Sequence, residues 1–161
     1  MGLQEVSTTL WQERNLLELL LFKLEQEQLL LASGRTRWLA RATREVEIVL
    51  ERIREAELMR SIEVENVAPS LLLPPGPSLR QLADNAPPPW DTMFADHRQA
   101  FLELTEEITQ LASTNRELVA RGQRATQDFL NNFVDPQPTT GYPMDGGRDR
   151  ERTPLVLDRT F

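Results

Sequence analysis

The chain has 161 residues, a net charge of −7, no cysteine and a single histidine. This length predicts one domain, because two domains would each be close to the size at which a core is marginal. The acidic charge argues against nucleic acid and anionic membranes as partners, since both attract cationic surfaces. The lack of cysteine excludes disulfides, thiolate metal sites and cysteine nucleophiles.

The prolines divide the chain. All 11 of them fall within residues 69–89 and 136–154. Because proline removes a backbone donor and clashes with the preceding helical turn, the two stretches outside these windows are free to form long helices. Gly34 divides the first stretch, since glycine readily takes the left-handed conformation that ends a helix. We therefore predict an all-α fold, an elongated three-helix antiparallel coiled-coil bundle.

The predicted domain occupies residues 1–134. Its three long helices are predicted at about 3–32, 36–67 and 91–133, with Thr36 and Asp91 as the N-caps of the second and third. A Pro-rich hinge at residues 69–90 separates the second helix from the third, and Ser78 and Gln81 form a capping box for a short helix within it. The tail, residues 135–161, is predicted to be disordered because it is rich in proline and glycine with mixed charge.

Apolar residues recur at spacings of three and four in each long helix, which is typical of a coiled-coil seam. In the first helix, residues 16–24 include seven apolar side chains, spread over a face wider than one neighbouring helix can cover. We therefore expect the first helix to pack on both of the others.

Polar residues interrupt these seams and are the candidates for chemistry. His97 is predicted to be a core-edge histidine bonded to a neighbouring helix, because no second type of metal ligand accompanies it. Glu13, Glu27 and Glu63 are interpreted as places where the bundle opens to water, since buried carboxylates without partners are costly; an acid pair or a metal site is the alternative. Asn115 is predicted to fix the register of the helices.

Motifs of catalysis and nucleotide binding are absent from the sequence, including G-x-S-x-G, the Walker loop and G-x-G-x-x-G. We therefore predict a protein that is not an enzyme and uses no cofactor and no metal. The sequence also has no apolar run of 18 residues and no signal peptide, so we expect a cytoplasmic protein without membrane insertion.

The end of the third predicted helix is the most informative region. After Asn115 the seam residues shrink to Gly122 and Ala125, which would let another helix approach closely, while larger apolar residues lie on the adjacent stripe. Two interpretations remain open at this point. The surface is either a groove for a partner or a face that packs on the first two helices of the same chain.

Four segments and one tryptophan carry a family resemblance. They are LWQER at residues 10–14, ASGRTRWLARA at residues 32–42, SLRQLA at residues 78–83, NREL at residues 115–118, and Trp90. In this order they resemble the flagellar export chaperone family FlgN, in the form found in high-GC Gram-positive bacteria. The resemblance covers roughly residues 5–130.

The resemblance implies a cytoplasmic chaperone that binds the helical C-terminal segments of hook-associated proteins, prevents their premature assembly and delivers them to the flagellar export apparatus. It places client binding on the amphipathic end of the third helix, at Leu118, Val119, Ala125, Phe129, Leu130 and Phe133. It also suggests docking on the export gate through Tyr142. We expect a monomer when the protein is free. The alternative is a coiled-coil adaptor that self-associates through the wide apolar face of the first helix.

Overall fold

The computed structural model describes residues 2–134, and their side chains as far as residue 132. Its α-helices are α1 Gly2–Ala32, α2 Leu39–Val67, α3 Leu79–Asn85 and α4 Trp90–Val134. Short 3-10 turns, Thr36–Trp38 and Ala68–Leu71, adjoin the two ends of α2. The predicted all-α fold is confirmed, and the described part of the chain contains no strand. The predicted disordered tail lies outside the described residues.

The break between α1 and α2 occurs at Gly34, as predicted. Gly34 has a φ of +68°, and the Arg35 amide donates to the Leu30 carbonyl at 3.1 Å, which closes the end of α1. The prediction of Thr36 as an N-cap is wrong. Arg35 takes the non-helical conformation instead, so Thr36 already lies in the 3-10 turn and Trp38 stands at the N-cap of α2.

The short helix α3 begins with the predicted capping box. The Gln81 amide donates to Ser78 Oγ at 3.2 Å, and the Ser78 amide donates to Gln81 Oε1 at 2.8 Å. The prediction of Asp91 as the N-cap of the last helix is wrong. The Met93 amide donates to the Pro89 carbonyl at 3.2 Å, so the helix begins at Trp90 and Asp91 lies in its first turn.

α1 and α2 run in opposite directions and meet along their length. Gly2, at the start of α1, lies against Val67 at the end of α2. Near the other end, Lys23 Nζ lies 3.0 Å from Glu45 Oε2. The tight break at Gly34 produces this hairpin, because a short connection leaves two long helices no other arrangement.

α4 packs on α1 and runs in the same direction. The ring of Trp11 contacts that of His97, and further along both helices Asn115 Nδ2 donates to the Leu24 carbonyl at 2.9 Å. Among the described residues, α2 and α4 have no close backbone contact with each other. α1 is thus the helix on which both others pack, as its wide apolar face predicts.

The core lies where α1 meets its two neighbours, with α3 packed beside α4. Its largest fully buried apolar side chains are Val6, Leu10, Leu17, Leu20, Ile53, Leu82, Phe94, Phe101 and Ile108.

Candidate functional site

Glu13 is buried, which makes the prediction of an opening to water wrong at this position. The Arg60 guanidinium lies 3.3 Å from Glu13 Oε1, so a cation from α2 accompanies the carboxylate. Burial raises the pKa of Glu13 to about 7, with Arg60 lowering the pKa and Glu57 raising it. This pair could not be predicted from the sequence, because the two residues are far apart in the chain and come together only when α1 and α2 form the hairpin.

Glu27 is also buried, and the same prediction is wrong for it. Thr43 Oγ1 donates to Glu27 Oε2 at 3.0 Å, and Asn115 Nδ2 lies 3.3 Å from Glu27 Oε1. One carboxylate thereby joins all three long helices. This agrees with the interpretation of Asn115 as a residue that fixes register, because the contact forms in one alignment only. Glu63 is half-buried.

His97 lies in the core, 2% exposed. Its ring stands edge-on to that of Trp11, with 4.7 Å between centroids. Burial, and secondarily the charge of Arg14, lower the pKa of His97 below its ordinary value. His97 thus contacts α1 through the ring of Trp11, whereas the sequence predicted a hydrogen bond to a neighbouring helix. Within residues 2–134, no group of three histidines, aspartates or glutamates could hold a metal ion.

The distal segment of α4, residues 121–132, extends past the other helices. Every side chain in it is exposed, in contrast to the first half of the same helix. Phe129 is 64% exposed and Leu130 46% exposed. The reason is length, since α1 ends at Ala32 while α4 continues for about 18 Å past Ala120, its last half-buried residue in the described part of the chain.

The structure separates the predicted client-binding residues into two groups. Leu118 and Val119 are half-buried, whereas Ala125, Phe129 and Leu130 are exposed in the distal segment. Phe133 lies in α4, but its side chain is outside the described part of the chain. The predicted docking residue for the export gate, Tyr142, also lies outside the described residues.

The distal segment offers an apolar stripe with charges beside it. A Cβ placed on Gly122 would meet no atom within 4 Å, so another backbone can approach closely there. Arg121 forms an ion pair with Glu117 at 3.9 Å, one turn earlier. An apolar stripe of this kind, flanked by polar groups, is suited to packing against an amphipathic helix.

A second exposed face lies on α2 and was not predicted from the sequence. Ile48, Met59 and Ile62 of α2, together with Trp38 just before it, are each about half exposed. Together with the charged residues Arg41, Glu45, Arg52 and Glu55 between them, these residues follow a spacing of threes and fours, offset from the buried seam of the same helix. This spacing in α2 is the sequence pattern from which the second exposed face could have been predicted.

The described residues form an all-helical structure with exposed apolar faces, an arrangement that is suited to packing against other helices. Within residues 2–134, none of the helices has the length and apolar character needed to span a bilayer. The chain belongs to the FlgN family, since the family described as FlgN protein matches residues 1–150. Comparison with curated proteins and with solved structures gives no match. FlgN is a family of flagellar assembly chaperones.

Proposed function

We propose that this protein is a cytoplasmic flagellar export chaperone that binds the helical C-terminal segments of hook-associated proteins. It keeps those proteins from assembling early and delivers them to the export apparatus. Family membership supports the chaperone role. The observation that carries the client site is that every residue from 121 to 132 is exposed, with Phe129 at 64% and Leu130 at 46%.

In this proposal a client helix lies along the distal segment of α4 and covers Phe129 and Leu130. Burying apolar area contributes about 25 cal/mol per Å², from which the ordering of a flexible client segment subtracts. The client surface hidden in this way is the one that it would otherwise use to polymerise. Tyr142 stays the predicted contact with the export gate.

The alternative of a self-associating adaptor required a free apolar face on α1. In the structure that face is largely occupied, because α2 and α4 bury Leu17, Leu20 and Leu24 between them. Three large apolar residues of α1 remain exposed, Trp11 at 47%, Phe22 at 53% and Leu29 at 69%, and the exposed residues Asn15, Glu18 and Glu25 between them are polar. This arrangement favours the chaperone over an adaptor that associates through α1.

The test is calorimetric titration of the full chain with purified C-terminal segments of hook-associated proteins. Replacing Phe129, Leu130 and Phe133 together by serine is expected to abolish binding, with helix content largely retained by circular dichroism. Leu72→Ser is the matched control, since Leu72 is the most exposed large apolar residue described, at 93%, and lies away from α4's end. Unchanged affinity in the triple variant would contradict the assigned site.

A further inference from the structure

A second apolar face runs along α2 and the turn before it. Its members are spaced by three and four residues, which places them on one side of a helix. They are Trp38, Arg41, Glu45, Ile48, Arg52, Glu55, Met59 and Ile62. We call this set the α2 stripe. Its four apolar members are between 45% and 51% exposed. The stripe is about 36 Å long.

Two grooves between α1 and α2 accompany the stripe. One, of about 630 Å³, is lined by Trp38, Arg41 and Glu45 together with Leu30. The other, of about 570 Å³, is lined by Arg52, Glu55 and Met59 together with Leu16 and Leu19. Ile48 lies between the two groups along α2. No residue of α4 lines either groove, so this face belongs to the α1–α2 hairpin alone.

The α2 stripe is self-complementary about Ile48. Glu45 comes three residues before Ile48 and Arg52 four after it. Seven residues before Ile48 is Arg41, and seven after it is Glu55. Of the outer apolar members, Trp38 precedes the centre by ten residues and Met59 follows it by eleven, whereas Ile62, fourteen residues after the centre, lies beyond the symmetric part of the stripe.

A two-fold axis through Ile48 would bring each of these residues opposite its complement in an antiparallel second copy. Such an interface presents the same patch on both subunits. We propose that two copies of this chain associate through the α2 stripe, with α2 packed antiparallel to α2 of the second copy. Arg41 then faces Glu55, Glu45 faces Arg52, and Trp38 faces Met59. This interface lies apart from the distal segment of α4.

The charges of the stripe are available for this pairing. Neither Arg52 nor Glu55 takes part in an ion pair within the described part of the chain. Arg41 pairs with Glu45 at 3.3 Å, but Lys23 also holds Glu45, at 3.0 Å. Arg41 can therefore turn to Glu55 of the second copy without leaving Glu45 unpaired. Exposed pairs of this kind set register more than affinity, which comes from the apolar members.

The inverted order of the charges is what selects a second copy as the occupant. A foreign helix could complement any arrangement of charges, whereas a self-docking antiparallel helix requires opposite charges at distances that match to within one residue on either side of a centre. The α2 stripe meets that requirement. The proposal replaces the monomer expected from the sequence with a dimer whose client surfaces remain exposed.

The first experiment uses the absence of cysteine from the chain. Ile48→Cys places one thiol on the proposed axis, where it meets the same thiol of the second copy. Mild oxidation is expected to give a disulfide-linked dimer. Thr109→Cys, on an exposed position of α4, is the matched control and is expected to give little of it. Equal cross-linking of the two variants would overturn the proposal.

The second experiment exchanges charges and measures the dimer dissociation constant by sedimentation equilibrium. Arg41→Glu and Glu55→Arg are each expected to weaken the dimer at least tenfold, and the double variant to restore it. Arg54→Glu is the control, because Arg54 pairs with Glu51 off the stripe and is exposed. A monomeric wild-type protein, a dimer indifferent to both single changes, or a double variant that fails to recover would each overturn the proposal.

Discussion

The two halves of α4 share one helix and one apolar spacing but have opposite surroundings. In the first half, Phe94, Phe101 and Ile108 are at most 1% exposed. In the distal segment, Phe129 occupies the same seam and is 64% exposed. The difference comes from the neighbour, since α1 accompanies the first half and ends before the second.

This comparison separates two uses of an apolar seam. Where α1 is present, the seam stabilises the fold. Where α1 is absent, the same spacing yields apolar side chains that are exposed in the described part of the chain, and this is the surface on which we propose that the client helix lies. Variants placed in the two halves should therefore affect different measurements.

The largest expected effect is the loss of stability from truncating a buried aromatic. Phe101→Ala should lower the free energy of unfolding by about 3–5 kcal/mol, because it removes buried area and leaves a cavity. Phe129→Ala should change it by less than about 0.5 kcal/mol. Urea denaturation followed by circular dichroism measures both. A similar decrease in the free energy of unfolding in both variants would show that the apolar residues of the two halves contribute equally to the stability of the fold.

Asn115 marks the boundary between the halves and is expected to have the next largest effect. Asn115→Ala removes the donor to Leu24 and Glu27, so a buried carboxylate loses a partner. We expect a loss of about 1–3 kcal/mol. Thr114→Ala, on the exposed neighbour, serves as the control in the same denaturation measurement. An Asn115→Ala protein as stable as this control would contradict the role given to the contact.

A dependence of stability on pH is expected from Glu13. Its pKa is raised to about 7 in the folded state, so the folded protein holds this proton where the unfolded chain has released it. The stabilisation of the folded state by the protonated Glu13 carboxyl is fully present below about pH 4.5 and is lost as the pH rises through 7. Its slope is at most about 1.4 kcal/mol per pH unit.

Glu13→Gln should remove this slope, measured as the difference from wild type in urea midpoints between pH 5 and pH 8. The difference is needed because the lowered pKa of His97 acts in the opposite direction and is common to both proteins. Parallel pH profiles for the two proteins would show that Glu13 does not titrate in this range.

The smallest expected effect is in the distal segment itself. Gly122→Ala should favour the local helix by about 0.5–1 kcal/mol, because glycine is a poor helix former and the added Cβ meets nothing. Hydrogen exchange should slow around residues 118–126 while the melting temperature stays unchanged. A change in melting temperature would mean that the distal segment is coupled to the core.

Features decided by local chemistry could be predicted from the sequence. The break at Gly34 and the capping box of Ser78 and Gln81 depend on residues a few positions apart, and both are confirmed. The predictions of Thr36 and Asp91 as N-caps are wrong because the position of an N-cap depends on the backbone conformation of the residues before the helix.

Features decided by the alignment of separate helices could not be predicted. The sequence gives no indication that Arg60 reaches Glu13 or that Thr43 and Asn115 reach Glu27, since these contacts depend on the register of the packed helices. The exposure of the distal segment could not be predicted for the same reason. It depends on where α1 ends relative to α4, and this register is seen in the contact of Asn115 with Leu24.

Within residues 2–134, the last three turns of α4 pack on none of the other described helices. Isolated helices of that length are marginal, so its backbone gains order when a ligand covers it. In the proposed complex, the bound client would also stabilise the helical conformation of the distal segment. We therefore expect the affinity for the client to fall on warming at temperatures well below those at which the α1–α2 hairpin unfolds.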